Sequence, residues 1–107
     1  MTMPGEWIDL GDDHALRYSK WAPDRDLNPQ YDGIPDVERY AAMVRHTTPA
    51  GEPCMGGITF DGEVARRIEP GKQVWQVESF DPPSFSPSLL CSCGDHGFIR
   101  GGQWVRA

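Results

Sequence analysis

The sequence has no apolar run near the roughly 20 residues needed to cross a bilayer, and its start, MTMPGEWIDLGDD, lacks the basic and apolar regions of a secretion signal. Both absences predict a protein with no membrane role that stays in the cytoplasm of a host cell, or in a virion assembled there. Basic side chains are few, 10 against 16 acidic ones, for a formal charge of −6. A phosphate backbone would be repelled, which excludes nucleic-acid binding through a basic face. Cysteine is scarce and odd in number, at three. In a reducing compartment this argues against a disulfide framework and leaves metal ligation, nucleophilic chemistry or packing for Cys54, Cys91 and Cys93. Apolar residues make up only 38 %, against 10 Pro and 12 Gly, so a bundle of long helices is excluded too.

What remains is one domain over residues 1–107, a size at which a single core buries enough surface to fold. EWIDLGDDHALRYSKW reads as a β-hairpin, with runs at Trp7–Leu10 and Ala15–Trp21 and a loop of about four residues. The Pro-, Asp- and Asn-rich residues 22–35 read as a surface loop, with a smaller claim to be a binding surface. DVERYAAMVRH places Val37, Tyr40, Ala41 and Val44 at helical spacing behind Asp36, which predicts a short helix. A strand over Ala42–His46 is its competitor. ITF reads as a strand, and GEVARRIEPGK as one or two helical turns stopped by Pro70 and Gly71. VWQVESF alternates as a strand does, and FIRGGQWVRA predicts a final hairpin over residues 97–106. No repeat or linker divides the chain. The fold class is α+β and β-rich: short antiparallel strands with about one helix. Trp7, Trp21, Trp75 and Trp104 fall in the strand-like runs and read as packing residues.

CSCGDHGFIR, residues 91–100, concentrates the chemistry. Cys91 and Cys93 lie two apart, so an extended backbone points them the same way, and Gly94 allows a turn that returns His96. Structural zinc takes four thiolate or imidazole ligands in a tetrahedron. Cys91, Cys93 and His96 supply three, and Cys54 in GEPCMGG is the natural fourth, with His46 and His14 behind it as alternatives. The expected zinc set is therefore Cys54, Cys91, Cys93 and His96. One CxC with a distant cysteine is a weaker signal than paired CxxC knuckles. Against it stands the bland reading, in which buried thiols act as small hydrophobes and His96 caps a turn. A competing chemistry uses the same histidine. Ser88 or Ser86 becomes a nucleophile if His96 lies within hydrogen-bond reach as its base, but an imidazole nitrogen that ligates zinc cannot also take that proton. An open zinc site, with Asp95 or Glu52 as base, and a Cys93–His96 nucleophile complete the catalytic alternatives.

The stretch VWQVESFDPPSFSPSLLCSCGDHGFIRGGQWV resembles the hallmark region of a small family of unassigned function, common in phages of actinobacteria. Relatives occur in other bacteria, including beside ubiquitin-like conjugation genes. Trp75, Ser86, Pro87, Ser88, Cys91, His96, Phe98, Ile99 and Arg100 carry the SPS…C…H-x-x-I-R pattern, and WAPDRDLNPQYDG and CMGGITFDG extend the likeness loosely over most of the chain. The members near conjugation genes are thought to be metal-binding or peptidase-like, and carry an upstream C-x-C-G-C segment. This chain has CMGG there, so the resemblance transfers Cys54 as one ligand and makes Cys93 the more attractive source of another.

The leading expectation is a zinc-stabilised accessory or binding module, encoded by a phage or its host, that works with a protein partner. A small hydrolase, peptidase-like, using Ser88 or Ser86 with His96 or an open zinc site, is the alternative of a different class. A virion-associated structural subunit is a third.

Overall fold

The computed structural model describes residues 6–20 and 39–107. The loop expected over 22–35, and the first residues of the helix expected from Asp36, lie outside them. Strands β1 (Trp7–Gly11), β2 (His14–Lys20), β3 (Arg39–Thr47) and β4 (Pro53–Thr59) form an antiparallel sheet in sequence order. A short helix α1 (Glu63–Ile68) leads to a hairpin of β5 (Gln76–Phe80) and β6 (Pro83–Ser86). A three-stranded antiparallel sheet of β7 (Leu89–Leu90), β8 (His96–Arg100) and β9 (Gln103–Arg106) ends the chain. This is a small β-rich domain of antiparallel sheets with one short helix among the described residues. No helix there is long and apolar enough to cross a membrane.

The first hairpin closes with two residues rather than about four. Asp12 and Asp13 both take left-handed backbone angles, φ 49° and 63°, as a two-residue hairpin turn matched to strand twist requires. Aspartate is one of the few non-glycine residues that tolerate this. The final hairpin makes the same turn with Gly101 and Gly102, φ 56° and 78°, and pairs Ile99 with Trp104.

The helix expected over DVERYAAMVRH is overturned: residues 39–47 are strand β3, containing the competing Ala42–His46. β3 lies between β2 and β4, so both edges of its backbone find ladder partners. Ala42, Val44 and His46 are buried while Arg45 and Thr47 are exposed. That period of two outweighs a helical spacing resting on four residues. The helical turns expected in GEVARRIEPGK are present as α1, which buries Val64 and Ala65. The proline-rich DPPSFSPS, residues 81–88, contains β6, and β7 follows directly after it. Pro83 is tolerated as the first residue of its strand, where a missing N–H costs least.

The core forms where one face of the large sheet meets the two small sheets. Leu10, Leu16, Tyr18, Ala42, Val44 and Ile58 pack with Phe60, Phe85, Leu89, Ile99 and Trp104. Across β2, β3 and β4 this face is ordered in rows: Tyr18, Ala42 and Ile58, then Leu16, Val44 and Gly56. The next row is polar, His14, His46 and Cys54, and it lies at the edge of the core.

Candidate metal centre

His46 and Cys54 are direct partners across β3 and β4. They share a face because His46 continues the buried alternation Ala42, Val44, and Cys54 the series Ile58, Gly56. Opposite them stands the loop between β7 and β8. There Cys91 N–H donates to the Asp95 carbonyl at 2.8 Å, and Gly94 N–H donates to the Cys91 carbonyl at 2.9 Å. Gly94 has φ 96°, which a side-chain-bearing residue rarely adopts. The closed loop presents Cys91, Cys93 and Asp95 to the polar row.

Cys91 Sγ lies 3.2 Å from Cys54 Sγ, and Cys93 Sγ lies 3.1 Å from His46 Nε2. The ligand atoms of His46, Cys54, Cys91 and Cys93 all fall within 4.8 Å of one another, a cluster compatible with a metal site. Neighbouring ligand atoms around tetrahedral zinc lie about 3.5–3.8 Å apart, within the spread seen here. The cysteines are free thiols, the Cys54–Cys91 separation being well beyond a disulfide bond. Hydrogen bonding to Cys91, with burial second, pushes the Cys54 thiol up to about 12. Cys91 moves the other way. Burial opposes its ionisation, but hydrogen bonds from the Cys93 backbone N–H and from the Cys54, Cys93 and Ser92 side chains outweigh it. Within the sulfur pair Cys91 gives up its proton more easily than Cys54, whose proton a metal would have to displace.

The structure brings together three of the four ligands expected from the sequence. His96 is placed elsewhere. It begins β8 opposite Leu90 with its side chain exposed, and its Nε2 lies 2.9 Å from Ser88 Oγ. Gly94 does turn the chain, but what it returns to Cys91 is the Asp95 carbonyl. His46, held in reserve by the sequence reading, supplies the cluster's imidazole.

His14, the other reserve, supports the site from outside the cluster. Its Nδ1 donates to the Asp12 carbonyl and its Nε2 is hydrogen-bonded to Asp95 Oδ2, both at 2.6 Å. Both nitrogens are thus engaged within the protein. His14, His46 and Asp95 form a second, overlapping group of potential ligands, with Asp95 Oδ2 3.8 Å from His46 Nε2. Because both groups need His46 and both His14 nitrogens are already hydrogen-bonded, the cysteine-rich group is the better metal holder. The His14 ring is stacked between Trp104, centroids 4.0 Å apart at 8°, and His46, 4.9 Å apart at 20°. This stack fixes the orientation of His46, whose Nδ1 is buried without a partner among the described residues. The role of Asp95 was missed, having been read only as a potential base. Its place after Gly94 in the loop is the signal that could have found it.

Of the serines expected near His96, Ser88 is the one placed there. Its carbonyl also accepts a long hydrogen bond, 3.4 Å, from Trp75 Nε1. Ser86 lies in β6, paired with Gln76. In comparisons with known proteins the chain matches no family model, no curated protein and no solved structure.

Proposed function

We propose that this protein is a zinc-stabilised accessory or binding module, in which His46 Nε2 and the thiolates of Cys54, Cys91 and Cys93 hold one zinc ion. The observation that carries this reading is the convergence of three thiols and an imidazole from β3, β4 and the β7–β8 loop within 4.8 Å. Apolar packing does not require such crowding. Thiolate-rich tetrahedral sets select zinc among the abundant divalent metals, and four protein ligands leave no open position for a substrate, so the role of the metal is structural. It ties the β7–β8 loop to the far edge of the large sheet. The C-terminal resemblance to a family whose members near conjugation genes are thought to be metal-binding or peptidase-like is consistent with this and makes a phage-encoded accessory protein the proposed setting.

Cobalt(II) substitution tests the site. Tetrahedral thiolate ligation predicts intense visible bands and sulfur-to-cobalt charge transfer, both lost in Cys91→Ser. A pale octahedral spectrum would contradict the reading.

A second reading rests on Ser88 Oγ at 2.9 Å from His96 Nε2, a nucleophile–base distance. A hydrolase built on this pair requires Ser88→Ala to abolish ester or peptide turnover without loss of folding. Unchanged turnover in that variant removes it.

A further inference from the structure

The edge of β4 is half filled. At its far end Trp75 occupies the position of a neighbouring strand: Trp75 N–H donates to the Thr59 carbonyl, and Asp61 N–H donates to the Trp75 carbonyl, each at 2.8 Å. The β3–β4 ladder runs without a bulge from Pro53 to Thr59. Edge-directed backbone groups recur at every second residue, so those of Gly57 and Met55 point the same way as those of Thr59. Neither has a partner among the described residues.

Three further features mark this stretch. Gly56 and Gly57 lie outside the left-handed region, and a Cβ on either would meet nothing within 4 Å. Neither turn geometry nor close packing among the described residues requires glycine there, whereas glycine in a strand commonly marks the close approach of another backbone. Beside this edge lies a cavity of about 60 Å³, lined by Val44, His46, Gly56, Trp75, Cys91 and Trp104 among others. The same cavity reaches β7, itself the edge of its sheet, where Leu90 is 71 % exposed; Met55 on β4 is 49 % exposed. Natural edges are usually blunted by charge or proline, and this one carries neither between Cys54 and Thr59.

We infer that the Met55–Gly57 edge is a docking site for an extended, uncharged segment of a partner protein. The segment adds as a strand beside β4 and places one small apolar side chain in the cavity. Its position continues the one that the chain's own Trp75 fills, which is why an extended backbone is the occupant. The inference deepens the binding-module reading and rests on it, and because Cys91 and His46 also line the cavity the test uses the metal-loaded protein. Main-chain hydrogen bonds supply affinity and the cavity supplies selectivity, as in other strand-addition complexes.

The test is selection of a displayed random heptapeptide library on the metal-loaded protein, followed by hydrogen exchange and affinity measurements with the enriched peptides. Gly57→Pro removes one edge-directed N–H without touching the β3 ladder, and Gly56→Val fills the cavity. Enriched peptides should be uncharged and rich in small or β-branched residues, and should slow exchange at the Met55 and Gly57 amides. They should bind each variant at least about tenfold more weakly, while metal content and melting temperature stay at wild-type values. Three results would overturn the inference: no enrichment, equal binding to Gly57→Pro, or wild-type dimers that Gly57→Pro converts to monomers. The last would make a second copy the occupant. Protein that carries no metal as purified and still binds these peptides would refute the zinc reading alone.

Discussion

Position parity within a strand decides which side of a sheet a side chain reaches, and it separates His46 from His96. His46 follows Ala42 and Val44 onto the buried face, while His96 shares the outward side of its ladder with Leu90. His46→Ala should therefore abolish stoichiometric metal binding, and His96→Ala should keep about one metal per chain, as read by elemental analysis of the two purified variants. The sequence drew attention to His96 because it is near the cysteines in the chain. His46 is legible as a ligand only once its segment is known to be a strand paired with Cys54. The cysteines needed less help, since thiols this few, with all but one beside a histidine, stand out as a ligand set. Metal binding must also displace the tightly held Cys54 proton, so affinity should fall as pH is lowered, measured by competition with a chromophoric chelator.

At the scale of elements, the first hairpin turn braces the centre. Asp12 accepts from Arg106 Nε on β9 at 2.8 Å, and Asp13 accepts from the Thr47 N–H at the end of β3, also at 2.8 Å. The Arg106 hydrogen bond holds Asp12 below the ordinary carboxyl value of 3.8, and hydrogen bonds from Thr47 do the same for Asp13. A carboxyl depressed by folding adds stability that is fully present above 3.8 and is lost as pH falls through the lower folded value. Acid titration should show this part of the stability disappearing below about pH 4, and Asp13→Asn should flatten that limb of the melting-temperature profile.

Gly97 is the other brace. A Cβ there would lie 2.5 Å from Trp104 Cζ2 and 2.7 Å from the Val105 carbonyl oxygen. The ring is held by its stack on His14 and the oxygen belongs to the backbone, so neither moves freely. Gly97→Ala should cost about 1–3 kcal/mol, lowering the melting temperature by roughly 4–8 °C for each kcal/mol. Both hairpins were readable from their turn residues. β3 was not, because four apolar residues fit a helical period and only its neighbours on either side select the strand. β6 and β7 hid among prolines that occupy strand starts and connections.

Taken as a whole, the molecule joins a four-stranded sheet to two small sheets through one aromatic and aliphatic core, with the polar row at its margin. A structural zinc contributes on the order of 10 kcal/mol in small domains, comparable with the whole stability of a typical fold, about 5–15 kcal/mol. Removing the metal should therefore do more than loosen one loop. A strong chelator is expected to lower the thermal midpoint by well over 10 °C and to free the β7–β8 loop, as followed by calorimetry and by hydrogen exchange at the Cys91 and Gly94 amides. The overall class, β-rich and antiparallel with one short helix, could be read from composition, turn residues and alternation. The approach of Cys54 to Cys91, 37 residues further on, could also be read from the few thiols; the pairing of β3 with β4 that sets His46 beside Cys54 could not, because the β3 segment also fits a helical period.

The most direct test of this account is the metal content of untagged protein purified without chelator, measured by elemental mass spectrometry with a thiol titration on the same sample. The account predicts about one zinc per chain and three thiols shielded until a chelator is added. No metal, with three freely reactive thiols, would contradict it.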